Sequence, residues 1–281
     1  MKLINTFISD KNDVPDYVAL SLEQARHFNP EIEIYFICKY KQEFFDKLNI
    51  KWVDQESLAE GQTLKRFNQV CSFRRHGTPN TTYPSPDLFW HRTAERIFYI
   101  LELMLRDTMD EVFHFENDVL IYHDLKDVEV SQNVIITPMS LTHTTFAFSY
   151  FPTPAKLFDL CSYFIMLLEH GEQNLLSFGY DHISEMSLLN MALRNNLVKC
   201  FPIFQNYNGF IYDPGSYGQY LGGTNNGHGA GFVDPSHYIG QKILLNEIHP
   251  VFDVKPYTEH NPIFNLHIHS KNLGQFICKT T

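Results

Sequence analysis

Residues 111–122 read EVFHFENDVLIY: an aromatic, apolar run, an acidic triplet, then a second apolar run. Glu111 to Phe115 has the make-up of a central strand, since β-branched and aromatic side chains fit a pleated, buried surface. Glu116-Asn117-Asp118 comes directly after it and leads into VLIYHDL. Working back toward the N-terminus, Lys2 to Ile8 reads as a first strand. Asp16 to Phe28, with Val18, Leu20, Leu22 and Ala25 among polar residues, reads as a helix. EIEIYFIC (Glu31 to Cys38) reads as a buried strand, Phe44 to Leu48 as a helix and Ile50 to Val53 as a short strand. This β-α-β-α-β order predicts a parallel sheet with helices on its faces.

Between that opening and the triplet, HGTPNTTYPSPD (residues 76–87) is a turn-rich loop. Leu88 to Arg106 then carries Ala94, Ile97, Phe98, Leu101 and Leu105 at helical spacing. Downstream, NVIIT (Asn133 to Thr137) reads as a strand, and residues 155–170 and 184–196 as helices, with Ser184 a natural N-cap. Residues 206–240 hold Gly209, Gly215, Gly218, Gly222, Gly223, Gly227, Gly229, Gly231 and Gly240, interleaved with aromatics. They read as an ordered, irregular region in which backbone can approach a neighbour closely. A final strand, Ile263 to Ile268, runs into HIHSK. The expected architecture is one α/β domain with a mainly parallel, Rossmann-like sheet flanked by helices.

The bulk numbers narrow the function. A formal net charge of −10 argues against nucleic acid or an anionic membrane as the main partner. No window approaches the ~20 apolar residues of a membrane helix, and MKLINTFISDKND does not read as an export signal. The Asn80-Thr81-Thr82 sequon is therefore read as chance. Cys38, Cys71, Cys161, Cys200 and Cys278 are widely spaced without a CxxC pair, which fits reduced thiols and a cytoplasmic setting.

Five groups could carry chemistry. Glu116 and Asp118 lie two apart past a strand; read as extended chain, both carboxylates point the same way and offer the oxygens that Mg²⁺ or Mn²⁺ prefers. The plain alternative is an acidic turn. His267, His269 and Lys271, read as one extended face, could complete a metal shell and hold a phosphate; the alternative is a basic strand end at the surface. Glu185, and after it Asp181, could serve as a general base, although acids at a helix start are common for dipole reasons alone. Arg92 or Arg96 could reach a diphosphate, or be solvated on the helix surface. The stretch from Asp213 to Thr224 (DPGSYGQYLGGT) matches no nucleotide-binding loop: GxGxxG, GxxxxGK[ST] and GxSxG are all missing.

The order of these features resembles the GT-A glycosyltransferases. FHFENDVLIY is similar to their DXD metal motif with Glu in the first place, HIHSK to their C-terminal metal histidine and phosphate lysine, and SEM before a helix to the segment that supplies a base in inverting members. FWHRTAERIFYILELM, VFHFENDVLIY and YGQYLGGT with GAGFVD resemble a GT-A-like group from bacteria and large DNA viruses. The resemblance implies a GT-A-like domain over residues 1–281, with a nucleotide-binding half to residue 125 and an acceptor half from 126. It implies a Mn²⁺ or Mg²⁺ ion on Asp118 with His269 or His267, Glu116 on the metal or the ribose, and Lys271 on the diphosphate. Thr6 and Ser9 would lie near the base of a nucleotide-sugar donor, and a glycan or other hydroxyl would be the acceptor, with a lean to inversion. Two other readings compete: a nucleotide-sugar or glycan binding module without catalysis, and a metallohydrolase built on HxH. The latter class usually carries its HxH on an early strand, unlike residues 267–269 here.

Overall fold

The alternation read from the N-terminal stretch is present. In the computed structural model, β1 (Lys2–Phe7), α1 (Asp16–Phe28), β2 (Glu33–Cys38), α2 (Glu43–Lys47) and β3 (Ile50–Asp54) come in that order, with β1 parallel to β2 and β2 to β3. The structure describes residues 1–9, 14–71, 86–139, 143–180, 183–202, 208–215, 217–218, 242–245, 250–253 and 260–278. Successive strand residues point to opposite faces. Leu3, Ile34 and Phe36 therefore pack with Val18, Leu22 and Ala25 of α1. Ile4, Ile37 and Val53 pack on the other face, in the core that also takes in α3 (Gln62–Val70) and α4 (Pro86–Arg106). The sheet is thus sandwiched between two apolar layers. The sequence reading did not single out α3, whose Leu64 and Phe67 are its buried contacts.

The chain continues through β4 (Val112–Phe115), β5 (Val119–Ile121), β6 (Val134–Pro138), β7 (Thr144–Phe151), α5 (Pro154–Glu169), α6 (Glu172–Leu176), α7 (Glu185–Arg194) and β8 (Val198–Cys200). The large sheet has the order β3-β2-β1-β4-β7-β6-β8. It is mainly parallel, as expected; β7 alone runs against its neighbours β4 and β6. Every residue of β7 is buried, so its sequence, TTFAFSYF, lacks the polar alternation that marks a half-exposed strand.

The C-terminal part, read as an irregular region ending in one strand, adds a second sheet. This sheet is built from β9 (Ile211–Tyr212), β10 (Lys242–Leu245), β11 (Pro250–Asp253), β12 (His260–His267) and β5. Its order is β10-β11-β12-β5, antiparallel throughout, with β9 parallel to β12. The run VLIYHDL is therefore a short strand that leaves the large sheet and joins the second. The pairing register sets His267 opposite Val119, so the end of β12 meets the residue just after the acidic triplet. Most of the glycine-rich region, and the sequon at residues 80–82, lie outside the described residues. Among the described residues, no helix is long and apolar enough to cross a membrane.

Candidate active site

The acidic triplet is a tight turn rather than extended chain: the Val119 N–H donates to the Glu116 carbonyl at 3.0 Å. The turn is required because β4 and β5 belong to different sheets. The HIHSK segment is corrected likewise. Its strand ends at His267, the Lys271 N–H donates back to the Ile268 carbonyl at 2.9 Å, and Lys271 takes the left-handed φ of 64°. The Ile268 N–H donates to the Asp118 carbonyl at 2.8 Å and ties the two turns together.

Two charged clusters result, and Glu116 joins them. In the first, Asp118 is 4% exposed; its Oδ1 lies 3.2 Å from His267 Nε2, and its Oδ2 pairs with Lys271 Nζ. His267 Nε2 also lies 3.1 Å from Glu116 Oε2. The His267 and His269 rings stack with centroids 3.9 Å apart. One ligand atom from each of Asp118, His267 and His269 falls within 4.8 Å of the others. His269 Nε2 sits 2.9 Å from the Gly215 carbonyl. A carbonyl only accepts, so the proton is on Nε2 and the Nδ1 lone pair is left bare. Burial alone would lower the pKa of His267, but Asp118 and Glu116 outweigh it and push it up to about 10. Burial and the charge of His267 push His269 down to about 3. Burial would raise Asp118; His267 and Lys271 prevail and hold it well below the usual carboxylate range.

In the second cluster, Arg96 of α4 donates through Nη2 to Glu116 Oε1 and to Glu185 Oε1, the latter at 2.7 Å. Thr145 Oγ1 donates to the same Glu116 oxygen at 3.2 Å. One guanidinium serves a buried carboxylate, Glu185, and a half-buried one, Glu116, and their affinities for protons split. Glu116 is held well below its ordinary range: burial opposes this, but Arg96 and His267 win. Glu185 is pushed up to about 7, by burial first and by the Glu116 charge, against the pull of Arg96. Glu185 opens α7 after Ser184, whose backbone N–H donates to Ser187 Oγ at 2.8 Å.

Both clusters open on one cleft of about 410 Å³, which Thr6, Tyr17, Phe89, Trp90, Arg92 and Met186 also line. Arg96 is thus brought to the cleft but is engaged with two carboxylates, while Arg92 pairs with Glu95 on its own helix. The Thr6 carbonyl accepts from Asn117 Nδ2 at 2.8 Å, which anchors the turn on β1. Ser9 is not brought to the lining; its carbonyl faces Gln55 Nε2 at 3.5 Å. Asp181 lies outside the described residues. The sequence reading missed Tyr17, whose ring lies 5.7 Å from Lys271 Nζ, and Thr145, on the unread strand β7. It singled out the stretch that opens at Asp213 but gave that acid no role, since no periodicity marks it.

No protein-family model matches the chain, and no curated protein does. Among solved structures it is similar to the apo form of mouse xyloside xylosyltransferase 1, with a TM-score of 0.47 and 9% identity, over 72% of this chain and 84% of that one. It is also similar to the galactosyltransferase LgtC in complex with donor and acceptor sugar analogs, with a TM-score of 0.46 and 12% identity, over 95% and 86% of the two chains. A third likeness, to the apo structure of the bifunctional glycosyltransferase WbbM, has a TM-score of 0.42 and 11% identity, over 76% of this chain and 40% of that one.

Proposed function

We propose that this chain is a metal-dependent glycosyltransferase of the GT-A type, which moves a sugar from a nucleotide-diphosphate donor to an acceptor hydroxyl. The observation that carries the reading is the convergence of Asp118, His267 and His269 within 4.8 Å, in a cleft that also holds Lys271 and Glu185. The donor set fits a divalent cation: one carboxylate, one imidazole with a bare Nδ1, and a second, His267, which would give up a proton to bind and whose Nδ1 is buried without a hydrogen-bond partner. Mn²⁺ suits this mixture of oxygen and nitrogen better than Mg²⁺, which favours oxygen. Such an ion supplies Lewis-acid charge to a leaving diphosphate.

The protein's own groups divide the remaining work. Lys271, now paired with Asp118, turns to a phosphate as a point charge. Glu116 stays on Arg96 and His267 and orients the imidazole, since its oxygens are already engaged. Thr6 and the Asn117 turn form the wall on which the nucleoside rests. Glu185, raised to about 7, is ionised often enough near neutral pH to take a proton from an acceptor hydroxyl. Attack from the face opposite the diphosphate then inverts the anomeric centre. The test is a thermal-shift screen of nucleoside diphosphates with and without Mn²⁺. A stabilisation that needs both the metal and one particular base is expected; no response to any nucleotide, or a response indifferent to metal, contradicts the proposal.

A further inference from the structure

The stretch from Asp213 to Gly218 stands out in the sequence, yet the proposed reaction gives it no part. Asp213 is 1% exposed. A carboxylate this deep is costly unless hydrogen bonds satisfy it. The satisfaction comes from backbone: Oδ2 accepts from the N–H of His267 at 2.8 Å and of Gly218 at 3.1 Å, and Oδ1 from the N–H of Tyr217 at 3.0 Å. Gly215 adopts a φ of 81°, and its carbonyl accepts from His269 Nε2 at 2.9 Å. At Gly218 there is no room for a side chain, because a Cβ would lie 1.8 Å from the His267 carbonyl oxygen. Contacts from one short segment therefore land on both histidines of the candidate metal set.

Resting on the metal reading above, we propose that Asp213, Gly215 and Gly218 form a clamp that positions the two histidines. Asp213 is its central positioning residue. The carboxylate fixes the backbone of His267 at the end of β12, and Gly218 seats against the same residue from the carbonyl side. The Gly215 carbonyl selects the His269 tautomer that turns a bare Nδ1 outward. Partners of this kind, which orient a ligand without touching the ion, typically govern metal affinity by about ten- to a hundredfold. The glycines answer to geometry: one needs the left-handed backbone region, the other contact without a Cβ.

Calorimetric titration of the full-length chain with Mn²⁺ alone tests this, alongside the melting temperature of the metal-free protein. Asp213→Asn preserves size and one acceptor oxygen but turns an NH₂ toward a backbone N–H. It is expected to weaken Mn²⁺ binding roughly ten- to a hundredfold. A variant in the apolar core between β2 and α1, Phe36→Leu, is the control; at a comparable melting temperature it should keep the wild-type affinity. If Asp213→Asn does not fold, Gly215→Ala replaces it, since a Cβ there meets nothing closer than 3.6 Å and only the backbone is strained. Weaker Mn²⁺ binding in either variant, beyond that of the control, supports the clamp. Wild-type affinity in a folded Asp213→Asn or Gly215→Ala overturns it. A wild-type protein that takes up no Mn²⁺ instead removes the metal reading, and the clamp with it.

Discussion

The Arg96–Glu116–Glu185 cluster and the Asp118–His267–His269–Lys271 cluster share one cleft but are held differently. In the first, a guanidinium on a long helix bridges the buried Glu185 and the half-buried Glu116; Arg96 is 13% exposed and cannot lose its charge in a protein. In the second, the balancing charges are the His267 imidazolium and an ammonium at 35% exposure on a turn, with His269 neutral beside them. An imidazole can give up its proton and a lysine can swing away, so a metal ion can take their place without leaving buried charge unmatched. On the proposed reading, the contrast separates a fixed part, which shapes the cleft and tunes Glu185, from an exchangeable part, which would receive the ligand.

Removing the fixed cation should do the most damage. Arg96→Leu leaves the buried Glu185 without its ion pair and takes one of several partners from Glu116, and is expected to cost about 3–5 kcal/mol of stability, read by urea unfolding. A loss below about 1 kcal/mol, the range of an exposed pair, would erase the contrast. Next comes Glu185→Gln, which keeps shape while removing the proposed base. Sugar transfer is expected to fall by roughly 10²–10⁴-fold while Mn²⁺-dependent donor binding persists; loss of both together would make Glu185 part of the binding frame instead.

A pH effect of the same group is smaller. Glu185 binds its proton more tightly folded, at about 7 against an ordinary 4.5. The folded state therefore holds more protons between those values, and stability falls as pH rises from the lower to the upper. In Glu185→Gln that slope should flatten; an unchanged slope assigns it to another group. Smallest is Lys271→Ala. Its pair with Asp118 is partly exposed and screened, so folding stability should change by less than about 1 kcal/mol, while nucleoside diphosphate affinity drops. A large stability loss would move Lys271 into the fixed part.

Much of the fold was legible because its elements carry local patterns. The run EIEIYFIC and the helical spacing from Ala94 to Leu105 mark β2 and α4 without reference to the rest of the chain. β7 was not legible, because a strand buried on both faces has no alternation. The second sheet was hidden for another reason: β5 pairs with β12, about 145 residues later, and nothing within Val119–Ile121 points to that partner. The candidate site obeys the same rule. Asp118, His267, His269 and Lys271 were recognisable as residue types, but the reading of both segments as extended was wrong, since a change of sheet needs a turn at Glu116–Val119 and Lys271 reaches Asp118 only by doubling back. Asp213 left no signal because it acts on backbone atoms.

The most direct measurement is pulsed electron paramagnetic resonance of Mn²⁺ bound to the protein in the presence of a nucleoside diphosphate. The account predicts coupling of the bound ion to imidazole nitrogen, together with phosphorus from the nucleotide, and loss of the bound-metal signal in Asp118→Asn. A bound ion that shows phosphorus but no imidazole nitrogen, or one that persists unchanged in Asp118→Asn, would contradict it.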